Sequence, residues 1–203
     1  MDDVIARLRQ AVSNQERVRK LSLAGLEMPG VFLEGLDGDF LVFDRSNLAS
    51  ADLTDAHLMD CDFNEARLDL SNFGGAVMWQ CRFKQATLCE AILEGCQATL
   101  CVFRHADLSE ANLNHSKLEE CVFADAQLKQ AQLEGVKGRN VSWERANLKA
   151  ACFKNAELQN SDFRNAVLLN TDFAGAILDG SDFSGAIIDG VNWDGASRAN
   201  CRL

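Results

Sequence analysis

Ala51-Asp-Leu-Thr-Asp, Ala106-Asp-Leu-Ser-Glu, Ala146-Asn-Leu-Lys-Ala and Ser181-Asp-Phe-Ser-Gly are one five-residue unit met at four places along the chain. Counted in fives from Leu23 to Leu203, the unit never slips. Its central position is Leu, Phe, Met, Ile or Trp everywhere except Gly38, Ala98, Gly138 and Arg198. Two residues before the centre stands a small residue, usually Ala, Ser, Thr or Cys, with Val or Leu in a few units. A short fixed period of this kind marks a solenoid, because each unit can bury its apolar side chain only against its neighbours.

With this A-(D/N)-L-x-x motif the chain resembles the pentapeptide-repeat family over residues 21–203. The resemblance implies an all-β solenoid, a right-handed quadrilateral parallel β-helix in which four units make one square coil and residues twenty apart stack. The chain tests that implication itself. Every twentieth residue gives Leu23, Phe43, Phe63, Phe83, Phe103, Phe123, Trp143, Phe163, Phe183 and Leu203 on one wall, and Met28 followed by Leu48 to Leu168 and Ile188 on the next. Aromatic and aliphatic residues sort into separate columns because inward side chains of like shape pack best coil upon coil. The third wall mixes Leu with Phe73, Phe153, Phe173 and Trp193. The fourth holds all four exceptions and reads as the weakest-packed.

Residues 21–203 make about nine coils, which at a parallel-strand spacing of roughly 4.8 Å gives a rod about 43 Å long. Gly35, Gly75, Gly95, Gly135, Gly175 and Gly195, two residues after the third-wall centres, fit turns that need positive φ. Pro29 is the one proline, so the backbone ladder is nearly uninterrupted.

A rod needs its ends covered. Residues 1–20 read as an α-helical cap: Val4, Ile5, Leu8 and Val12 share one helical face, and Arg17, Arg19 and Lys20 stand at the end that a helix dipole prefers for cations. Ser13-Asn-Gln-Glu16 also reads as a capping box, which would divide the cap into two short helices. At the other end the repeat runs to Leu203, and an uncovered last coil leads us to expect a homodimer through it.

The 203 residues carry a net charge of −10. That balance argues against direct nucleic-acid binding and against anionic membranes. No apolar run approaches a membrane span, and the Met1-Asp-Asp-Val start lacks the layout of a signal peptide, so the cytoplasm is expected. Export that needs no cleaved signal leaves no mark in a sequence. Charge is also uneven: residues 34–69 hold ten acidic and two basic residues, whereas 70–160 hold ten of each. Asp37, Asp39, Asp44, Asp52, Asp55, Asp60, Asp62, Glu65 and Asp69 thus form an acidic collar near the N-terminal end.

Chemistry is sparse. Cys61, Cys81, Cys101, Cys121 and Cys201 share one inward column and Cys96 stands at the equivalent place on the fourth wall, the positions of small core residues. No Cys-x-x-Cys pair or suitably placed His suggests a metal or disulfide site. Cys89 and Cys152 face outward without an activating environment. His105, one coil below Asp125, makes the only acid–base pair in prospect, and on a convex corner it reads as a surface ion pair. We expect no enzyme, cofactor or metal.

Two outward apolar groups depart from a polar surface: Met59, Val77, Trp79 and Leu100 on the fourth wall, and Val167, Leu169 and Ile187 outside the leucine wall. Val102, Val122 and Ile92 are read as strand formers only. The expected function is a non-enzymatic interaction module or scaffold offering flat walls to a protein partner. Two alternatives come from the family resemblance: an acidic, DNA-mimicking rod that binds DNA gyrase or topoisomerase and protects it from a poison, and an adaptor or effector of a bacterial secretion system.

Overall fold

The structure, a computed structural model, describes residues 2–203 and is a parallel β-helix. Parallel bridges join residues twenty apart on all four walls, as in Ser22 with Val42, Glu27 with Asn47, Phe32 with Asp52 and Val18 with Gly38. On the aromatic wall they continue from Ser22 to Arg202, nine steps of twenty residues. Only part of this length carries strand pairing of two or three residues. The strands β1 (Val18–Arg19), β2 (Asp37–Asp39), β3 (His57–Met59), β4 (Val77–Trp79), β5 (Gln97–Thr99) and β6 (Lys117–Glu119) all lie on the fourth wall, in the order β1-β2-β3-β4-β5-β6. This sheet spans about five turns, so the nine coils expected from length divide into five with strand pairing on one wall and a remainder joined by single bridges.

Corner bonding also varies along the rod. On the other walls a corner closes with a hydrogen bond from the first residue of the next unit to the central carbonyl, as from Ala51 N to Leu48 O (2.9 Å) and Ala56 N to Leu53 O (3.1 Å). Along the fourth wall from β2 to β5 the thiols of the aromatic wall supply a donor instead. Cys61, Cys81, Cys101 and Cys121 donate to the carbonyls of Gly38, Leu58, Met78 and Ala98 at 3.4, 3.4, 3.6 and 3.4 Å. Ser181 makes the same bond to Leu158 O at 2.9 Å.

The core is one continuous column. Phe43, Phe63, Phe83, Phe103 and Phe123 stack with ring centroids 4.6 to 4.8 Å apart, and Trp143 follows at 4.5 Å. Third-wall rings meet them edge-on, as Phe73 meets Phe83 at 5.9 Å. Aromatic pairs favour both geometries. Where the fourth wall has glycine at its centre, a neighbouring side chain fills the space. Leu41 Cδ1 occupies the space beside Gly38, Val141 Cγ2 that beside Gly138, and the Arg198 guanidinium lies 4.6 Å from the Trp193 ring centroid. Leu41 and Val141 are themselves exceptions to the rule of a small residue two before the centre, so each exception answers the other.

Positive φ is a property of every wall rather than of the third. The second residue after the centre is left-handed throughout, whether it is Gly, Asn, Asp, Glu, Gln, Arg, His, Ser, Ala or even Phe40 (55°), Leu70 (60°) and Leu100 (56°).

The N-terminal helix α1 runs over Asp2–Ser13, with Leu8 buried and Val4, Ile5 and Val12 packed against the core. It ends earlier than the basic residues suggested, and residues 14–20 form no second helix. Val18 and Arg19 already pair with Gly38 and Asp39. Arg17 and Arg19 therefore serve the first coil: their Nε atoms donate to Asp37 at 2.8 Å and Asp39 at 2.9 Å.

Candidate interaction surface

The fourth wall carries the first apolar group. Met59 stands directly opposite Trp79 in the β3–β4 register, Val77 is half-buried beside them, and Leu100 projects from the corner one coil on. Phe40 joins them from the coil below, where its N–H donates to Met59 O at 2.9 Å. Phe40, Met59, Trp79 and Leu100 are 50, 40, 39 and 37 % exposed, one residue from each of four consecutive coils. Sequence reading missed Phe40 because its position looked like a turn residue only. Its twenty-residue offset from Asp60 and Leu100's column was the available signal.

Phe40 and Leu100 are informative for a second reason. A bulky side chain in the left-handed region is disfavoured, and Asn, Asp or Gly would be at ease there. Neither residue gains burial in return. Strand propensity, which accounts for outward valines elsewhere on the rod, does not account for these two.

The second group is less exposed. Val167 and Leu169 are half-buried under their neighbours, while Ile187 is exposed on the last coil of the leucine wall beside Ile188.

The acidic collar is partly tied up in ion pairs between coils. Asp37 and Asp39 are held by Arg17 and Arg19, Asp62 by Arg82 at 3.2 Å and Glu65 by Arg45 at 3.0 Å, and Asp39 is buried. Asp69 accepts from Thr87 Oγ1 and from Cys89 N, and Asp52 from Thr54. Asp44, Asp55 and Asp60 enter no ion pair among the described residues. Sorted by wall instead of by chain order, the remaining charge is concentrated on the third. Glu34, Asp52, Asp55, Glu94, Glu134, Asp172 and Asp194 face outward there, with Lys154 the one cation.

His105 Nε2 lies 4.0 Å from Asp125 Oδ2, but Arg145 engages the same carboxylate from Nε at 2.7 Å and Nη2 at 2.9 Å. The hydrogen bond from Arg145 holds Asp125 below the usual carboxylate range. Cys61, Cys81 and Cys101 are pushed above the ordinary thiol range by the thiol one coil on and by burial, and burial alone pushes Cys96 up to about 12. Cys89 is raised to about 11 by burial and by Asp107 and Asp69. Among the described residues no group of three or more His, Cys, Asp or Glu is placed to hold a metal ion, and no helix is long and apolar enough to cross a membrane.

The family model described as pentapeptide repeats matches in eight copies over residues 42–80, 66–104, 101–137, 126–165 and 156–192. The chain belongs to the pentapeptide-repeat family. Among curated proteins no sequence matches. Among solved structures, this pentapeptide-repeat protein is similar to HetL, a pentapeptide repeat protein involved in heterocyst differentiation regulation from the cyanobacterium Nostoc sp. strain PCC 7120. The identity is 24% over 94% of this chain and 95% of that one, with a TM-score of 0.65. A trypsin-treated variant of QnrB1, a plasmid-mediated fluoroquinolone resistance protein, is 16% identical over 90% of this chain and 91% of its own, with a TM-score of 0.59. Likeness at these identities concerns the pentapeptide-repeat fold.

Proposed function

We propose that this protein is a non-enzymatic docking module whose fourth wall holds a protein partner. The observation that carries the reading is the row Phe40, Met59, Trp79 and Leu100, four large exposed apolar side chains on consecutive coils, Met59 and Trp79 on β3 and β4 and the other two at the corners just after β2 and β5. Contiguous exposed apolar surface is a candidate interaction site. Aromatic residues and Met are the side chains that most often anchor such contacts. The test is capture of partners from the native organism by wild type, by Met59→Glu/Trp79→Glu and by Val167→Asp/Ile187→Asp. The reading expects the first variant alone to lose a specific partner while its far-ultraviolet spectrum stays that of a β-helix. Loss from the second variant alone would move the site to the leucine wall.

A second reading is favoured by the third wall, whose seven acidic residues from Glu34 to Asp194 face one lone cation along the rod. A one-sided anionic stripe of that length suits mimicry of a nucleic-acid duplex toward DNA gyrase or topoisomerase, and QnrB1, a fluoroquinolone resistance protein, shares the fold. Inhibition of gyrase supercoiling that disappears on neutralising Glu94 and Glu134 supports it, and unchanged supercoiling excludes it. Pairing of two rods through the last coil is a separate proposal, supported by exposed Ile188 and Leu203, and is read by sedimentation of an Ile188→Asp variant against wild type.

A further inference from the structure

Resting on the docking reading above, we propose that the occupant of the fourth wall is a cationic amphipathic α-helix lying parallel to the rod axis. Spacing makes the first argument. The four apolar side chains rise one coil at a time, roughly 4.8 Å per step and about 14 Å from Phe40 to Leu100. An amphipathic helix offers one apolar residue per turn of about 5.4 Å, so four successive contacts span about 16 Å. The accumulated mismatch of about 2 Å lies within the reach of Met and Leu side chains. An extended strand offers same-side residues every 6.6 to 6.8 Å or so, about 20 Å for four, and leaves the row by the third contact.

Backbone bonding excludes strand addition on independent grounds. The main-chain donors along the row already serve the coil-to-coil ladder: Phe40 N to Met59 O at 2.9 Å, Gln80 N to Thr99 O at 3.0 Å and Leu100 N to Glu119 O at 3.0 Å. A partner on this wall therefore meets side chains, as a helix laid on an apolar surface does.

Charge makes the third argument. Of the charged residues on this wall from Asp37 to Glu120, Asp37 and Asp39 are held by Arg17 and Arg19, Asp60, Glu119 and Glu120 are acidic, and Lys117 is basic. Asp55 stands exposed at the neighbouring corner. Asp55, Asp60, Glu119 and Glu120 enter no ion pair among the described residues, whereas the nearby Arg82 is taken by Asp62. A helix with Leu or Met on one face and Lys or Arg flanking it satisfies both the apolar row and its acidic border.

The test uses two synthetic amphipathic peptides of one pattern, one made of Leu and Lys and one of Leu and Glu. Anisotropy of the labelled peptide and tryptophan emission of the full chain are followed together. The Leu/Lys peptide is expected to bind wild type and to shift the emission to shorter wavelength, with the shift abolished in Trp79→Phe. Binding should weaken by about tenfold or more in Met59→Ser/Trp79→Ser, whose fold is checked by circular dichroism, and also in Asp60→Asn/Glu120→Gln at low salt. The Leu/Glu peptide should not bind. Equal binding of the Leu/Lys peptide to the Ser variant shows generic attraction to an acidic rod and overturns the assignment, and equal binding of the Leu/Glu peptide overturns its charge. Self-association of the chain through this wall, seen by sedimentation without peptide, overturns it as well. Failure here is distinguishable from failure of the docking reading: a native partner that cross-links at position 59 while the Leu/Lys peptide does not bind leaves docking standing and removes the helix.

Discussion

Leu41 fills the place of a side chain that Gly38 lacks: its Cδ1 lies 2.5 Å from where a Cβ on Gly38 would stand. The two exceptions to the repeat are thus one compensated pair. Gly38→Leu is expected to destabilise the rod by about 1–3 kcal/mol through overpacking, and Leu41→Ala by about 2–4 kcal/mol through the cavity it leaves. The double variant should fall short of the sum by at least about 1 kcal/mol, because it recreates the ordinary large-centre, small-neighbour unit. Urea denaturation of all four proteins gives the cycle, and additivity would show that the two side chains do not share one space.

The exposed corner residue Phe40 holds φ at 55° without burial in return. Phe40→Asn should therefore raise stability by about 0.5–1 kcal/mol. The same change should weaken partner capture, which is the trade expected at a contact residue. A variant less stable than wild type would show that Phe40 is a packing residue.

Fold and site were legible to different degrees. The stacking period was written in the columns headed by Phe43 and Leu48, because inward side chains must match their neighbours above and below. The entry into the first coil was not. Val18 and Arg19 belong to no recognisable unit, and the basic residues there read as a helix end, although Arg17 and Arg19 stand twenty residues before Asp37 and Asp39. The outer surface was legible only in part, since Phe40, unlike Leu100, went unread at a corner whose backbone demands give no hint of what the side chain is for. That charge gathers on the third wall is invisible in chain order and appears only when Glu34, Glu94 and Glu134 are placed on one side.

Asp125, held by Arg145, has its folded pKa lowered first by that hydrogen bond. A lowered folded pKa contributes stability above the unfolded value of about 3.9 and loses it as pH falls through the folded pKa. Asp125→Asn should lower the urea midpoint at neutral pH, and the gap to wild type should close as the pH drops below about 4. A gap that stays constant into that range would show that the pair contributes through packing instead.

Thiols buried in a packed core are shielded from reagents. In the native rod Cys61, Cys81, Cys96, Cys101 and Cys121 should resist an aromatic disulfide reagent at mild alkaline pH, and Cys89, raised to about 11, should react slowly. Urea should release the column together with loss of the β-helix signal. Rapid native labelling of Cys81 or Cys101 would contradict the packing of the aromatic wall.

The central claim is that a protein partner sits on the row from Phe40 to Leu100. Its most direct test places a photo-crosslinking phenylalanine derivative at position 59 and, separately, at position 169 on the leucine wall, with irradiation in living cells of the native organism. The account predicts a discrete adduct from position 59, abolished by Trp79→Ser, and none from position 169. Adducts from position 169 alone, or none from position 59, would contradict it.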